Sequence, residues 1–132
     1  MSGPEERKVA IATKDGINIY EHFAAAPFFI VLKAKGHQVV AREQRENPYM
    51  GRRKECGEHA ACLRVAREVL PDVQVVISAG MGENAYVALL SRNILPLLTQ
   101  ERDIIKAVKL YLKGRLKEDP SLVRQAGIDR CF

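Results

Sequence analysis

Three side chains able to supply thiolate or imidazole, Cys56, His59 and Cys62, fall within seven positions as C-x2-H-x2-C. Such groups bind soft and borderline metals and iron–sulfur clusters. Directly before them, Arg52, Arg53 and Lys54 form a cationic run suited to an anionic ligand. Pro48, Gly51 and Gly57 argue against regular structure until about Glu58, so residues 47–57 read as a polar loop feeding a helix. Each candidate also has a plainer reading. Cys62 shares a helical face with Val65, Ala66 and Val69 and is either core or ligand. Cys56, in a glycine-flanked polar loop, is either a ligand or reactive thiol or a loop residue without a role, and His59 is either a ligand or a solvated or capping residue at a helix start. Cys131, beside the terminus, is incidental.

The elements that must position this loop alternate strand and helix. Residues 8–13 (KVAIAT) form a short apolar run stopped by Asp15-Gly16 and predict a buried strand. An irregular stretch with His22 follows. Residues 27–35 and 37–45 predict an antiparallel pair across a tight turn at Gly36, which leaves His37 exposed. Residues 58–70 predict a helix, 73–78 a strand, 79–82 a glycine turn, 83–92 a helix and 94–98 a strand. A helix over 101–113, capped by Thr99 and stopped by Gly114, carries an apolar stripe of Ile104, Ile105, Val108 and Leu112. Asp119-Pro120 would open a last short helix ended by Gly127. The first strands and the later α-β-α-β-α run imply an α/β fold, a mixed sheet with helices on both faces and a parallel portion.

In such a sheet, strands 1, 3 and 4 end at one edge. Asp15, His22, the 47–57 loop and Gly80–Gly82 would meet there, where open α/β sheets favour ligands. Gly80 and Gly82 would let backbone N–H groups approach an anion, helped by the following helix N-terminus. Alternatively they make only a tight turn, since the third glycine of a dinucleotide fingerprint is missing.

Composition narrows the classes. A chain of 132 residues with 47% hydrophobic and 28% charged residues suits one ordinary globular domain. No apolar run is long enough to span a bilayer and no signal peptide opens the chain, so a cytoplasmic location and reduced thiols are expected. The formal charge of +5 favours anionic partners. Metal-dependent hydrolysis needs gathered carboxylates, and only Asp15 stands at a strand end. Basic residues near the loop are interleaved with Glu43, Glu46, Glu55 and Glu58 without an aromatic–basic stacking motif, which disfavours nucleic acid.

Several marks in order, KVAIAT with Asp15-Gly16, His22-Phe23 before Pro27, Asn47-Pro48, the Cys/His loop and Ala79-Gly80-Met81-Gly82, resemble the dinitrogenase iron–molybdenum cofactor biosynthesis family. Its members are the NifX-like proteins and the matching domain of NifB. Phe23-Ala24 stands where that family usually has Phe-Gly. The resemblance implies a ribonuclease-H-like three-layer α/β/α fold with a five-stranded sheet of order 3-2-1-4-5, strand 2 antiparallel. It divides the chain into a disordered start (1–7), a cofactor-binding domain (8–114) and a C-terminal extension (115–132). It implies a non-enzymatic carrier of an iron–sulfur or iron–molybdenum-type cluster, served by cofactor-assembly proteins. His22, Cys56, His59 and Cys62 would be metal ligands, and Arg52, Arg53, Gly80 and Gly82 would bind the rest of the cofactor. The alternative is a nucleic-acid or protein-interaction module on the same fold.

Overall fold

In the computed structural model of the chain, residues 6–48 and 63–124 are described. Strand β1 (Glu6–Thr13) pairs antiparallel with β2 (Phe28–Lys35), which pairs antiparallel with β3 (Gln38–Glu46). On its other side β1 pairs in parallel with β4 (Val75–Ser78), and β4 with β5 (Leu95–Leu98). The sheet order is β3-β2-β1-β4-β5, a mixed five-stranded sheet of α/β class.

The alternation in β1 sorts its side chains between two cores. Ala10 and Ala12 face a cluster with Phe23, Phe29 and Val31, covered by the helical turn α1 (Val65–Val69) and helix α2 (Glu83–Ser91). Val9 and Ile11 face a second cluster with Ile30, Ile77 and Leu97, covered by α3 (Ile104–Leu112). A strand with both faces buried needs apolar residues at every position, which is why KVAIAT shows no polar alternation.

Some boundaries differ from the sequence expectation. β1 starts at Glu6, inside the stretch expected to be disordered, because β2 is long enough to pair Glu6 with Lys35 and Arg7 with Ala34. Arg7 also donates to the Tyr111 hydroxyl at 2.9 Å. The described end of the 58–70 helix is wound with a wider i→i+5 turn, Leu70 N–H donating to the Val65 carbonyl at 3.0 Å. Helix α3 is capped by Asp103, whose carboxylate accepts from Lys106 N–H at 2.9 Å, and not by Thr99, whose hydroxyl serves Glu101 N–H instead. The face packed on the sheet is Ile104, Ala107 and Val108, so Ile105 points outward, where it is 63% exposed, and Ala107 takes its place in the stripe. Gly114 does stop α3, at φ +71°. The helix expected after Asp119 is a single 3-10 turn, Pro120–Leu122, followed by a two-residue strand, Val123–Arg124. That strand pairs in parallel with Met81–Gly82, so part of the expected glycine turn is extended and paired.

Candidate functional site

β1 and β4 are parallel, and the two antiparallel steps from β1 to β3 turn β3 back to the same direction, so the carboxyl ends of all three lie at one edge. There the chain leaves β1 through a turn built on two side chains. The buried Thr13 hydroxyl donates to the Asn18 carbonyl at 2.7 Å and accepts from Gly16 N–H at 2.9 Å. One Asp15 carboxylate oxygen accepts from the N–H groups of Ile17 and Asn18, both at 2.8 Å, and the other from the Asn18 amide at 3.0 Å. The Asn18 and Ile17 amides, reinforced by the Asn18 side chain, lower the Asp15 pKa to about 2. Its charge is committed to its own turn, which Gly16 completes at φ +79°.

After this turn the backbone wedges between β1 and β4. Tyr20 N–H donates to Ala12 O at 2.8 Å, and Tyr20 O accepts from Ala79 N–H at 3.1 Å. The buried Ser78 hydroxyl donates to the Gly80 carbonyl at 2.7 Å and accepts from Gly80 N–H at 3.3 Å. His22 is half-buried, its ring edge-on to Tyr20 with centroids 5.8 Å apart and its Nε2 4.0 Å from the Glu21 carboxylate. Glu21 also meets Arg102 at 3.1 Å, and Lys14 Nζ lies 5.9 Å from the Tyr20 ring centroid. A cleft of about 260 Å³ opens here, lined by Lys14, Asp15, Asn18, Tyr20, Glu21 and Arg102 among others.

Asn47 ties the end of β3 into the same edge. Only 5% exposed, it donates through Nδ2 to the carbonyls of Ala24 (3.0 Å) and Ala26 (2.8 Å) and through its backbone N–H to Pro27 O (3.0 Å). The loop bearing His22 and the start of the 47–62 stretch are therefore one connected unit.

Of the residues singled out from sequence, Asp15, His22, Gly80 and Gly82 lie at this edge. Arg52, Arg53, Cys56, His59 and Cys62 lie outside the described residues. Among the described residues, no group of three His, Cys, Asp or Glu side chains could hold a metal ion. Gly82 precedes α2, whose first turn has no side-chain cap. Sequence reasoning missed Lys14, Asn18, Tyr20 and Arg102, which belong to no motif and converge only through pairing. It also missed the return of the C-terminal segment: Asp119 N–H donates to Leu98 O at 2.7 Å, and Leu122 and Val123 pack on the first core cluster.

A family model described as dinitrogenase iron–molybdenum cofactor matches residues 6–114. The chain belongs to that family. The match ends at the glycine that stops α3, so the returning segment lies beyond it. No curated protein matches the chain in sequence. Solved structures similar to it include the apo form of the orange protein from Desulfovibrio gigas, with a TM-score of 0.67 and 22% identity over 88% of this chain and 95% of that one. A Methanocaldococcus jannaschii protein described as a dinitrogenase has a TM-score of 0.63 and 18% identity, covering 90% of this chain and 97% of that chain. A Thermotoga protein described as NifB has a TM-score of 0.60 and 20% identity, covering 85% and 92%. At these identities the likeness shows a shared fold. No helix among the described residues is long and apolar enough to cross a membrane.

Proposed function

We propose that this chain binds and carries an anionic metal cofactor of the iron–sulfur or iron–molybdenum-precursor type, without catalysing a reaction on it. The observation carrying this reading is the convergence at one sheet edge of His22, the Gly80–Gly82 segment and Asn47, the residue from which the sequence runs into the Cys/His stretch. Family membership supports the choice of cargo. Cys56 and His59, with His22 and Cys62, would bind metal as thiolate and neutral imidazole, which requires reduced thiols and a cytoplasmic setting. Arg52 and Arg53 would offset the cluster's negative charge. Gly80 and Gly82 would keep the backbone close to the cargo, and cofactor-assembly proteins would be its source and destination. Under this reading residues 8–114 are the binding domain, ribonuclease-H-like in arrangement, and 115–132 an extension.

Anaerobic incubation with a cluster donor, followed by iron and sulfide analysis and absorption spectroscopy, tests the proposal. The parent should take up a coloured cluster. His22→Ala and Cys56→Ala should each weaken uptake, and the double variant should lose less than the sum, because ligands of one cluster act as a unit. A parent that stays colourless and metal-free would overturn the reading, and strict additivity would remove His22 from the site.

A further inference from the structure

A concentration of positive charge lies far from that edge. Residues 104–117 (IIKAVKLYLKGRLK) contain five cations and no carboxylate, as many positive charges as the whole chain's formal excess of +5. Helix α3 buries Ile104, Ala107 and Val108 against the sheet, which directs Lys106, Lys109 and Lys113 outward. Gly114 then turns the chain at φ +71°, with Gly114 N–H donating to Tyr111 O at 2.9 Å and Arg115 N–H to Leu110 O at 2.8 Å. That 6→1 and 5→2 pattern ends a helix by folding the next residue back over it, which brings Arg115 beside the last turn. From the sheet side, the tip of the β2–β3 hairpin supplies His37, whose Nδ1 donates to the Leu112 carbonyl at 2.9 Å.

These residues enclose an open groove of about 610 Å³ lined by His37, Lys109, Leu112, Lys113 and Arg115. No carboxylate lines it. Lys106 reaches Glu101 at 3.8 Å, whereas Lys109, Lys113 and Arg115 make no ion pair among the described residues. Clustered like charges repel one another, and an anion relieves that repulsion. We propose that this groove, at the edge opposite the candidate cofactor site, docks an acidic segment of a partner protein.

Three features favour such a segment over nucleic acid. From Lys109 to Lys113 the helix rises only about 6 Å, a short footprint beside the large interfaces of specific DNA-binding proteins. The one aromatic ring of α3, Tyr111, is engaged by Arg7, whose guanidinium sits 5.7 Å from its centroid, so α3 offers no free stacking platform for a base. The half-buried Leu112 and the lysine stems add an apolar floor that suits a peptide.

The test is fluorescence anisotropy with a labelled glutamate-rich peptide, its glutamine counterpart, and a short DNA duplex of matched charge. The glutamate peptide should bind, and its affinity should fall as salt rises from roughly 20 to 150 mM, as expected for exposed charges. The K109E/K113E/R115E protein should lose at least tenfold, and K109A/K113A, a milder change at exposed positions, at least threefold while keeping the parent's melting temperature. Equal binding of the glutamine peptide, unchanged affinity in the folded K109A/K113A protein, or a duplex bound as tightly as the acidic peptide would overturn the proposal. Cluster uptake is read separately, so failure here leaves the cofactor reading standing.

Discussion

At the edge where β1, β3 and β4 end, short polar side chains are spent on backbone: Thr13 and Asp15 on their turn, Ser78 on Gly80, and Asn47 on the carbonyls of Ala24 and Ala26. Glu21 there is paired with Arg102. The opposite edge is closed by glycine turns at Gly36 and Gly114, and there Lys109, Lys113 and Arg115 have no matching carboxylate among the described residues. One edge thus spends its side-chain hydrogen bonds, those of the Asp15 carboxylate included, on fixing irregular backbone, and the other displays charge on regular structure. The difference implies that mutations at the first edge act mainly on stability and geometry, and mutations at the second mainly on association.

The largest expected effect breaks the first edge. Asn47→Ala removes both donors to buried carbonyls and should cost about 2–3 kcal/mol, the usual range for leaving buried polar groups unpaired. Chemical denaturation should show a lower midpoint with an unchanged slope. A loss below about 0.5 kcal/mol would show that the Ala24 and Ala26 carbonyls find other donors.

Gly114→Ala probes the second edge. An added Cβ meets nothing within 4 Å, so the penalty is the left-handed backbone alone. That conformation costs a residue with a side chain about 1–2 kcal/mol. Thermal melting should show the loss. A melting temperature equal to the parent's would mean that the turn relaxes to negative φ, and Arg115 would then leave the groove.

The smallest effect sharpens the comparison, because it concerns a charge pair outside both edges. Arg45 on β3 grips both oxygens of Asp72 at 2.7 and 2.8 Å, and Lys8 adds a third contact at 2.7 Å. Arg45 above all, with Lys8, holds the Asp72 carboxyl well below its ordinary range. A carboxylate with a depressed folded pKa stabilises fully above its unfolded value, near 4, and that contribution fades as pH falls through the folded value. The Asp72 side chain is 40% exposed, so screening limits the gain to about 1 kcal/mol. Asp72→Asn should therefore be less stable than the parent at pH 7, the gap narrowing below about pH 4. A pH-independent gap would assign the loss to hydrogen bonding rather than charge.

Local patterns in the sequence determined much of this molecule. The apolar runs at 8–13 and 73–78 marked two central strands, the Gly36 turn marked a hairpin, and Gly114 marked the end of α3, because each rests on neighbours in the chain. Their order, with the glycine segment and His22-Phe23, was enough to indicate the family later found over residues 6–114. Three features needed the folded chain. Tyr20 joins His22 to Ala79 only because its backbone slots between two parallel strands whose neighbours lie far apart in sequence. Asp103 rather than Thr99 caps α3 because Asn18 pairs with Asp103 and fixes where the helix can begin. The cationic groove exists because the β2–β3 hairpin carries His37 to the end of a helix 75 residues later. Hydrogen bonds and charges that meet across such separations depend on which strands are neighbours, and no period along the chain encodes that.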